Sequence, residues 1–151
     1  MSGRTGRGPR GGRVLVQTSA PDEPAIVLAS KHDFQNFVKQ EWGHRQALLA
    51  PPCRQFTRII IRGKDAEEVR DEARRIARLC TESAASHGLD VRLLGPAPAP
   101  VSRIKGQHRF HVLLAAPQGD TVRTVWREVV SQLSPREDVE WTIDVDPINL
   151  R

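Results

Sequence analysis

Two apolar stripes with helical spacing constrain the fold of this chain more than any other feature. The first stripe begins after Asp65, a residue type that caps helix N-termini, and Gly88 marks its end. The second begins at Asp120 and stops at Pro135. The apolar members are Ala66, Val69, Ala73, Ile76, Ala77, Cys80 and Ala84 in the first stripe, and Val122, Val125, Trp126, Val129, Val130 and Leu133 in the second. Each stripe must be buried against another element, so both predicted helices require a common partner.

Four short apolar or alternating segments around these helices predict a β-sheet as that partner. They are residues 56–61, 91–94, 110–115 and 141–145. The resulting order, β-α-β-β-α-β, predicts an α+β, ferredoxin-like fold with two helices on one face of an antiparallel sheet. Prolines alternate with other residues over 95–100 and lack amide donors, so we predict an extended connector there. A basic turn over residues 103–106 follows it.

Residues 1–50 have a different organisation. The β-branched run over 14–18 predicts a buried strand. Four aromatic or apolar residues then recur with helical spacing and predict one helix face: Phe34, Phe37, Val38 and Trp42. The dipeptide Pro51-Pro52 ends that helix, and we therefore predict two domains, residues 1–50 and residues 51–151.

The net charge of +5 is concentrated in two stretches of the 151 residues. Residues 1–13 contain four arginines and no acid, and residues 91–119 are also acid-free. The basic residues are Arg4, Arg7, Arg10 and Arg13 in the first stretch, and Arg92, Arg103, Lys105 and Arg109 in the second. Each stretch is compatible with a solvated basic segment or with phosphate recognition, and charge alone leaves both open.

Other patterns exclude several classes of protein. The chain has no run of about 20 apolar residues and no N-terminal signal segment. Its two cysteines, Cys53 and Cys80, form no CxxC motif, so we expect a cytoplasmic protein without a disulfide scaffold or a zinc knuckle. Cys80 on the first stripe is expected to be a core residue. Asp144 and Asp146 are predicted to share one strand face, most simply as solvated or salt-bridged carboxylates.

The sequence motifs reveal no self-contained catalytic centre in this chain. Nucleotide-binding GK[ST] loops, G-x-S-x-G elbows and H-E-x-x-H helices are all missing from the sequence. Arg4 and Arg7, however, lie three residues apart on a glycine-flanked turn, so both can reach one phosphate. An arginine finger on a transferring γ-phosphoryl group has this requirement.

Four segments resemble the C-terminal part of the primosomal protein N′ (PriA) family of replication-restart DNA helicases. They are GRTGR at residues 3–7, GRVLVQT at 12–18, LLGPAPAPVSRIKGQHRFHVLL at 93–114 and WTIDVDPINL at 141–150. The first resembles the end of helicase motif VI of superfamily 2, and the last resembles the family's closing motif. The resemblance implies a ribosomal S10-like C-terminal domain after a remnant of helicase lobe 2.

The resemblance also implies a function. Arg4 and Arg7 match motif VI arginines that contact ATP phosphates, whereas Arg103, Lys105 and Arg109 are candidate nucleic-acid contacts. The chain lacks the family's Walker A and B motifs and its zinc-binding cysteines, so it is expected to hold no cofactor alone, although the full-length family uses ATP and Mg. The implied partners are forked or single-stranded DNA, single-stranded-DNA-binding protein and other primosome proteins, with no membrane. Motif VI normally begins before the position of Met1, which suggests that Met1 is internal to a longer reading frame.

Two alternatives remain open. A free-standing S10-like nucleic-acid-binding module would use Arg103, Lys105, Arg109 and the N-terminal arginines as phosphate contacts. A pseudogene remnant would have no function of its own, and the apolar helix face around Phe34 and Trp42 would then lie exposed.

Overall fold

The computed structural model describes residues 14–134 and 136–148. The chain divides into two compact units, one up to Gly43 and the other from His44 onward. This division falls seven residues before the predicted domain boundary and inside a helix, so the two-domain assignment of residues 1–50 and 51–151 stays a prediction.

Between residue 14 and the sheet, the structure contains two helices, α1 (Pro24–Ser30) and α2 (Phe34–Leu48). The predicted helix beginning near Phe34 is therefore confirmed as α2. Much of its apolar face is exposed, with Phe34 at 72% and Trp42 at 46% of full exposure.

The predicted strand over residues 14–18 is wrong. These residues form no regular structure, and Leu15 is 97% exposed. β-branched residues favour strands because they pack well on a pleated, half-buried surface. Without a neighbouring strand to pair with, this preference does not stabilise a strand. In the described part of the first unit, residues 14–43, helices are the only regular elements, so the run has no strand there to pair with.

The second unit contains the predicted β-α-β-β-α-β order. Its elements are β1 (Gln55–Gly63), α3 (Ala66–Ser86), β2 (Arg92–Ile104), β3 (Gln107–Ala116), α4 (Gly119–Ser131) and β4 (Val139–Val145). The sheet order is β2-β3-β1-β4, and all neighbouring strands are antiparallel. The chain thus has the α+β architecture that the sequence predicts.

Local sequence determines where α3 begins and ends. The Asp65 side chain accepts hydrogen bonds from the backbone N–H groups of Glu67 and Glu68, at 2.8 and 3.0 Å, and so caps the first turn. The helix ends at a C-cap residue, His87, followed by Gly88 with φ +61°. Glycine adopts this left-handed conformation without the Cβ penalty of other residues, which confirms the predicted stop.

The core lies between one sheet face and the two helices. Ile59 and Ile61 of β1, with Val112 and Leu114 of β3, are fully buried against α3 and α4. Because side chains alternate along a strand, the intervening residues lie on the opposite side of the sheet, here called the far face. The far face carries Arg58, Ile60 and Arg62 of β1, Arg109, His111 and Leu113 of β3, and Glu140, Thr142 and Asp144 of β4.

The proline segment differs from the prediction. Residues 95–100 are extended, as predicted, but they belong to β2 rather than to a connector. β2 is an edge strand, the position in a sheet where prolines are tolerated because one side needs no amide donor. The pairing of β2 with β3 is irregular between Leu94 and Ala97 and again between Pro98 and Arg103. These irregularities allow the strand to continue past the prolines to the basic turn.

No helix in the described residues is both long enough and apolar enough to span a bilayer.

Candidate functional site

The predicted basic turn is the tip of the β2–β3 hairpin. Lys105 and Gly106 form a two-residue connection with φ values of +49° and +82°. Positive φ at both positions is the signature of a type I′ turn, which matches the twist of antiparallel strands. Ile104 then pairs with Gln107, and Arg103 pairs with His108. Arg103 and Lys105 are exposed, so their charges lie in solvent at the end of the hairpin.

Arg109 lies on β3, three residues past the turn. Its Nη1 donates to the carbonyl oxygen of Val101 at 3.1 Å, which ties the guanidinium to the neighbouring strand. Arg103 pairs with His108, the residue before Arg109, and successive residues of a strand point to opposite faces. The structure therefore brings Arg103, Lys105 and Arg109 to one end of the hairpin but distributes them over both of its faces.

The sequence also predicts a phosphate-contacting site at Arg4 and Arg7. Arg4 and Arg7 lie outside the described residues. Their assignment as contacts to ATP phosphates stays a prediction.

The prediction that Asp144 and Asp146 share one strand face is wrong. β4 ends at Val145, and Asp146 adopts a positive φ of +50°. Its backbone N–H still donates to the carbonyl oxygen of Phe56 at 2.8 Å, but the positive φ bends the chain out of the extended conformation at this residue. Asp146 therefore does not continue the strand face on which Asp144 lies. Within residues 14–134 and 136–148, no group of three or more His, Cys, Asp and Glu side chains is arranged to hold a metal ion.

Cys80 is a core residue, as predicted. Its side chain is 1% exposed in the centre of the α3 stripe. Burial raises the pKa of the thiol to about 12, because the thiolate loses its hydration. A cysteine in this environment is not a nucleophile at neutral pH.

Sequence reasoning missed two polar side chains on the far face, Arg58 and His111. Arg58 lies in an apolar run of β1, and only the alternation of buried neighbours on both sides signals that it belongs to the other face. The pKa of His111 is lowered by burial and, to a smaller degree, by the positive charges of Arg58 and Arg109. Cationic groups therefore extend from the hairpin tip onto the far face.

The chain is similar to proteins of one class. The family model for the primosomal protein N C-terminal domain matches residues 46–148. Replication restart protein PriA of Treponema pallidum (strain Nichols) is 34% identical over 150 residues, covering 99% of this chain and 22% of that protein. PriA of Synechocystis sp. (strain ATCC 27184 / PCC 6803 / Kazusa) is 33% identical, covering 99% of this chain and 17% of that protein. PriA of Bacillus subtilis (strain 168) is 26% identical, covering 97% of this chain and 18% of that protein.

The chain spans about a fifth of the length of the curated relatives it matches. The family model covers the whole β-α-β-β-α-β unit, from the end of α2 to just past β4. The chain therefore belongs to the family of the primosomal protein N C-terminal domain, the region shared with replication restart protein PriA.

Proposed function

We propose that this chain acts as the C-terminal part of a primosomal replication-restart DNA helicase, an ATP-dependent enzyme of superfamily 2. It contributes contacts to forked DNA and to the primosome and does not catalyse alone. The observation that carries the proposal is the family match over residues 46–148, together with alignment of nearly the whole chain to replication restart protein PriA. Arg4 and Arg7 would contact ATP phosphates in the complete enzyme, and residues 1–50 would complete its second helicase lobe.

The basic hairpin supports DNA as a partner. Arg103 and Lys105 are exposed, and within the described ranges neither forms an ion pair with an acid. Residues 91–119 contain no acidic side chain that could neutralise them. Unpaired surface cations gain free energy when they replace the counterions condensed on nucleic-acid phosphates.

Fluorescence anisotropy with a labelled DNA fork tests this role. We expect binding that weakens steeply as salt rises, with a slope of about one unit for each phosphate contact. Replacement of Arg103, Lys105 and Arg109 by alanine should reduce the slope by about three units. Arg74→Ala is the matched control, because Arg74 is an exposed arginine on α3 that already pairs with Asp71. Undetectable or salt-independent binding would contradict the proposal.

A second experiment tests the helicase context. We expect no ATPase activity from the isolated chain, because 151 residues without Walker A and B motifs cannot bind nucleotide and Mg. Added to a PriA relative that lacks its own C-terminal domain, the chain should restore DNA-fork unwinding and association with single-stranded-DNA-binding protein. ATP hydrolysis by the chain alone, or no restoration of either activity, would count against the helicase role.

A second candidate function is a nucleic-acid-binding module that acts alone. It is favoured by the completeness of the α+β unit. The four strands and two helices of residues 55–145 enclose one core. The two candidates differ in the restoration experiment. A free-standing module binds the fork but does not restore unwinding to the truncated helicase.

A further inference from the structure

The two edges of the sheet differ in what they offer to a further strand. β2, at one edge, contains Pro96, Pro98 and Pro100, which lack amide donors. β4, at the other edge, contains no proline and pairs with β1 in one unbroken register from Val139 to Val145. Prolines protect a sheet edge against strand addition, and a regular strand without them lacks this protection. In the described part of the chain, β4 is therefore the edge at which the sheet is open to extension.

The hydrogen bonds between β4 and β1 determine which backbone groups of β4 face outward. The backbone N–H of Asp146 donates to the carbonyl oxygen of Phe56 at 2.8 Å. Bonded and non-bonded pairs alternate along an antiparallel ladder, so the backbone groups of Asp144, Thr142 and Glu140 also point toward β1. The backbone groups that point away from the sheet belong to Trp141, Ile143 and Val145. Within the described residues β4 has no strand on that side, so these N–H and C=O groups are available to a further strand.

The side chains of the outward-facing residues form an apolar margin beside this edge. Trp141 and Ile143 pair with core residues of β1, so they lie on the helix side of the sheet. The Trp141 ring lies 5.2 Å from the ring of Trp126 on α4, at an angle of 74°. These three side chains are only half-buried, and Val145 is 61% exposed. A strand beside β4 therefore places alternate side chains against an apolar surface on the helix side.

Acidic residues accompany β4 along its whole length. Residues 137–146 contain five acids and no basic residue, although the net charge of the chain is +5. The acids are Glu137, Asp138, Glu140, Asp144 and Asp146. Of these, Glu140 alone is in an ion pair within the described ranges, with Arg62 at 2.7 Å. Glu140 and Asp144 lie on the far face, so a strand beside β4 meets acids there and apolar groups on the helix side.

This charge pattern disfavours a second copy of the chain as the added strand. Antiparallel pairing of two β4 strands centred on Thr142 places Glu140 of each copy opposite Asp144 of the other. Like charges directly opposite each other in a sheet are destabilising. A strand with basic residues at the same positions gains instead, so the acids select a basic strand over a second acidic one.

We propose that the outer edge of β4 binds an extended, basic segment of a partner protein, which joins the four-stranded sheet as a further strand. Basic side chains of this segment lie beside the acids of the far face, and alternate apolar side chains lie against the apolar margin. Backbone hydrogen bonds supply the affinity, and the alternation supplies the specificity. The inference goes beyond the proposed function and holds whether or not the chain binds DNA, because it uses neither the basic hairpin nor Arg4 and Arg7.

Fluorescence anisotropy of the full chain with a labelled peptide tests the proposal. The peptide is seven residues long, like β4, and lysine alternates with valine along it. We expect it to bind, and we expect a peptide with glutamate in place of lysine not to bind. N-methylation of the valines removes the amides that face β4 and keeps every charge, so it should weaken binding about tenfold or more. Equal binding of the N-methylated peptide would show charge attraction without strand addition, and it would overturn the proposal, as would no binding of the basic peptide.

Variants of β4 locate the site. Val145→Pro removes an outward N–H and leaves the ladder to β1 intact, so it should weaken peptide binding about fivefold, whereas Val145→Ala keeps this N–H and should have a smaller effect. Asp144→Asn does not depend on the fold tolerating a proline, and it should weaken binding about threefold. Asp71→Asn is its control, because Asp71 is an exposed acid on α3.

The results with these variants are decisive for the edge. If Asp144→Asn and Val145→Pro both bind the peptide as tightly as the wild type, the site on β4 is wrong. Analytical ultracentrifugation of the wild type should show a monomer. A stable dimer that Val145→Pro dissociates would assign this edge to a second copy and would also overturn the proposal.

Discussion

Arg54 and Asp90 form a bidentate ion pair that joins the segment before β1 to the loop before β2. Nη1 and Nη2 of Arg54 lie 3.0 and 2.6 Å from Oδ1 and Oδ2 of Asp90. The Arg54 side chain is 14% exposed, whereas Asp90 is largely in solvent. Hydrogen bonding from Arg54 is the main cause that lowers the pKa of Asp90.

This pair predicts a pH-dependent contribution to stability. A carboxyl whose pKa is lower in the folded state stabilises the fold above its unfolded pKa of about 4, and this contribution is lost as the pH falls through the folded pKa. Asp90→Asn should therefore lower the thermal midpoint at pH 7 and make little difference at pH 2. Thermal unfolding followed by circular dichroism across this range measures the difference. An equal deficit at both pH values would contradict the ionic explanation.

Glu72 of α3 forms ion pairs both within its own helix and with the segment before β4. It should therefore matter more for stability than the other charged residues of α3. It is buried, and its oxygens lie 3.0 Å from Arg75 and 3.3 Å from Arg136, the latter just before β4. Arg75 also donates to the carbonyl oxygen of Gln132 at the end of α4. Glu72→Ala removes both ion pairs and should lower the free energy of unfolding by about 2 kcal/mol, as urea denaturation would measure.

Asp71→Ala is the matched control for this effect. Asp71 is the preceding residue on α3 and pairs with Arg74 at 3.2 Å, with both side chains exposed. Exposed pairs of this kind contribute about 0.5 kcal/mol at most. If Asp71→Ala and Glu72→Ala lower the free energy of unfolding by the same amount, burial does not explain the importance of the Glu72 ion pairs.

Cys80 and Cys53 should differ in reactivity. Cys80 is buried with a pKa raised to about 12, so almost none of it is thiolate at pH 8, whereas Cys53 is half-buried. A thiol reagent such as 5,5′-dithiobis(2-nitrobenzoate) should modify Cys53 in the native protein and reach Cys80 only after denaturation. Cys53→Ser provides the control, since its native state should then react negligibly. Rapid modification of the native Cys53→Ser protein would show that the α3 stripe opens readily.

The predictable part of the fold is the part that local patterns determine. The α3 stripe, its Asp65 cap and its Gly88 stop are all contained in about 25 consecutive residues, and each was identified correctly. β1 and β3 are central strands, and each contains a short continuous apolar run, residues 59–61 and 112–116, which is the pattern that buried strands produce.

The parts that could not be predicted depend on neighbours distant in sequence. Residues 95–100 contain three prolines, and whether such a segment is a connector or an edge strand depends on which side of it another strand pairs. Arg58 is a similar case, because an arginine inside an apolar strand normally indicates an exposed position. Its burial follows from the far face as a whole, which sequence spacing does not describe.

At Lys105 we expect the stability of the fold and the binding of DNA to favour different residues. Lysine at φ +49° occupies a conformation that asparagine and glycine adopt more easily, so the turn carries a charge at the expense of backbone strain. Lys105→Asn should raise the free energy of unfolding by about 0.5 kcal/mol and lower the salt slope of DNA binding by about one unit.

Gly106→Ala is the converse variant. A Cβ at this position meets no atom within 4 Å, but φ +82° is a strained conformation for alanine. The free energy of unfolding should therefore fall by about 1 kcal/mol with the charge of the turn unchanged. Urea denaturation and anisotropy on both variants separate the two effects, and a Lys105→Asn protein with unchanged DNA binding would remove Lys105 from the proposed interface.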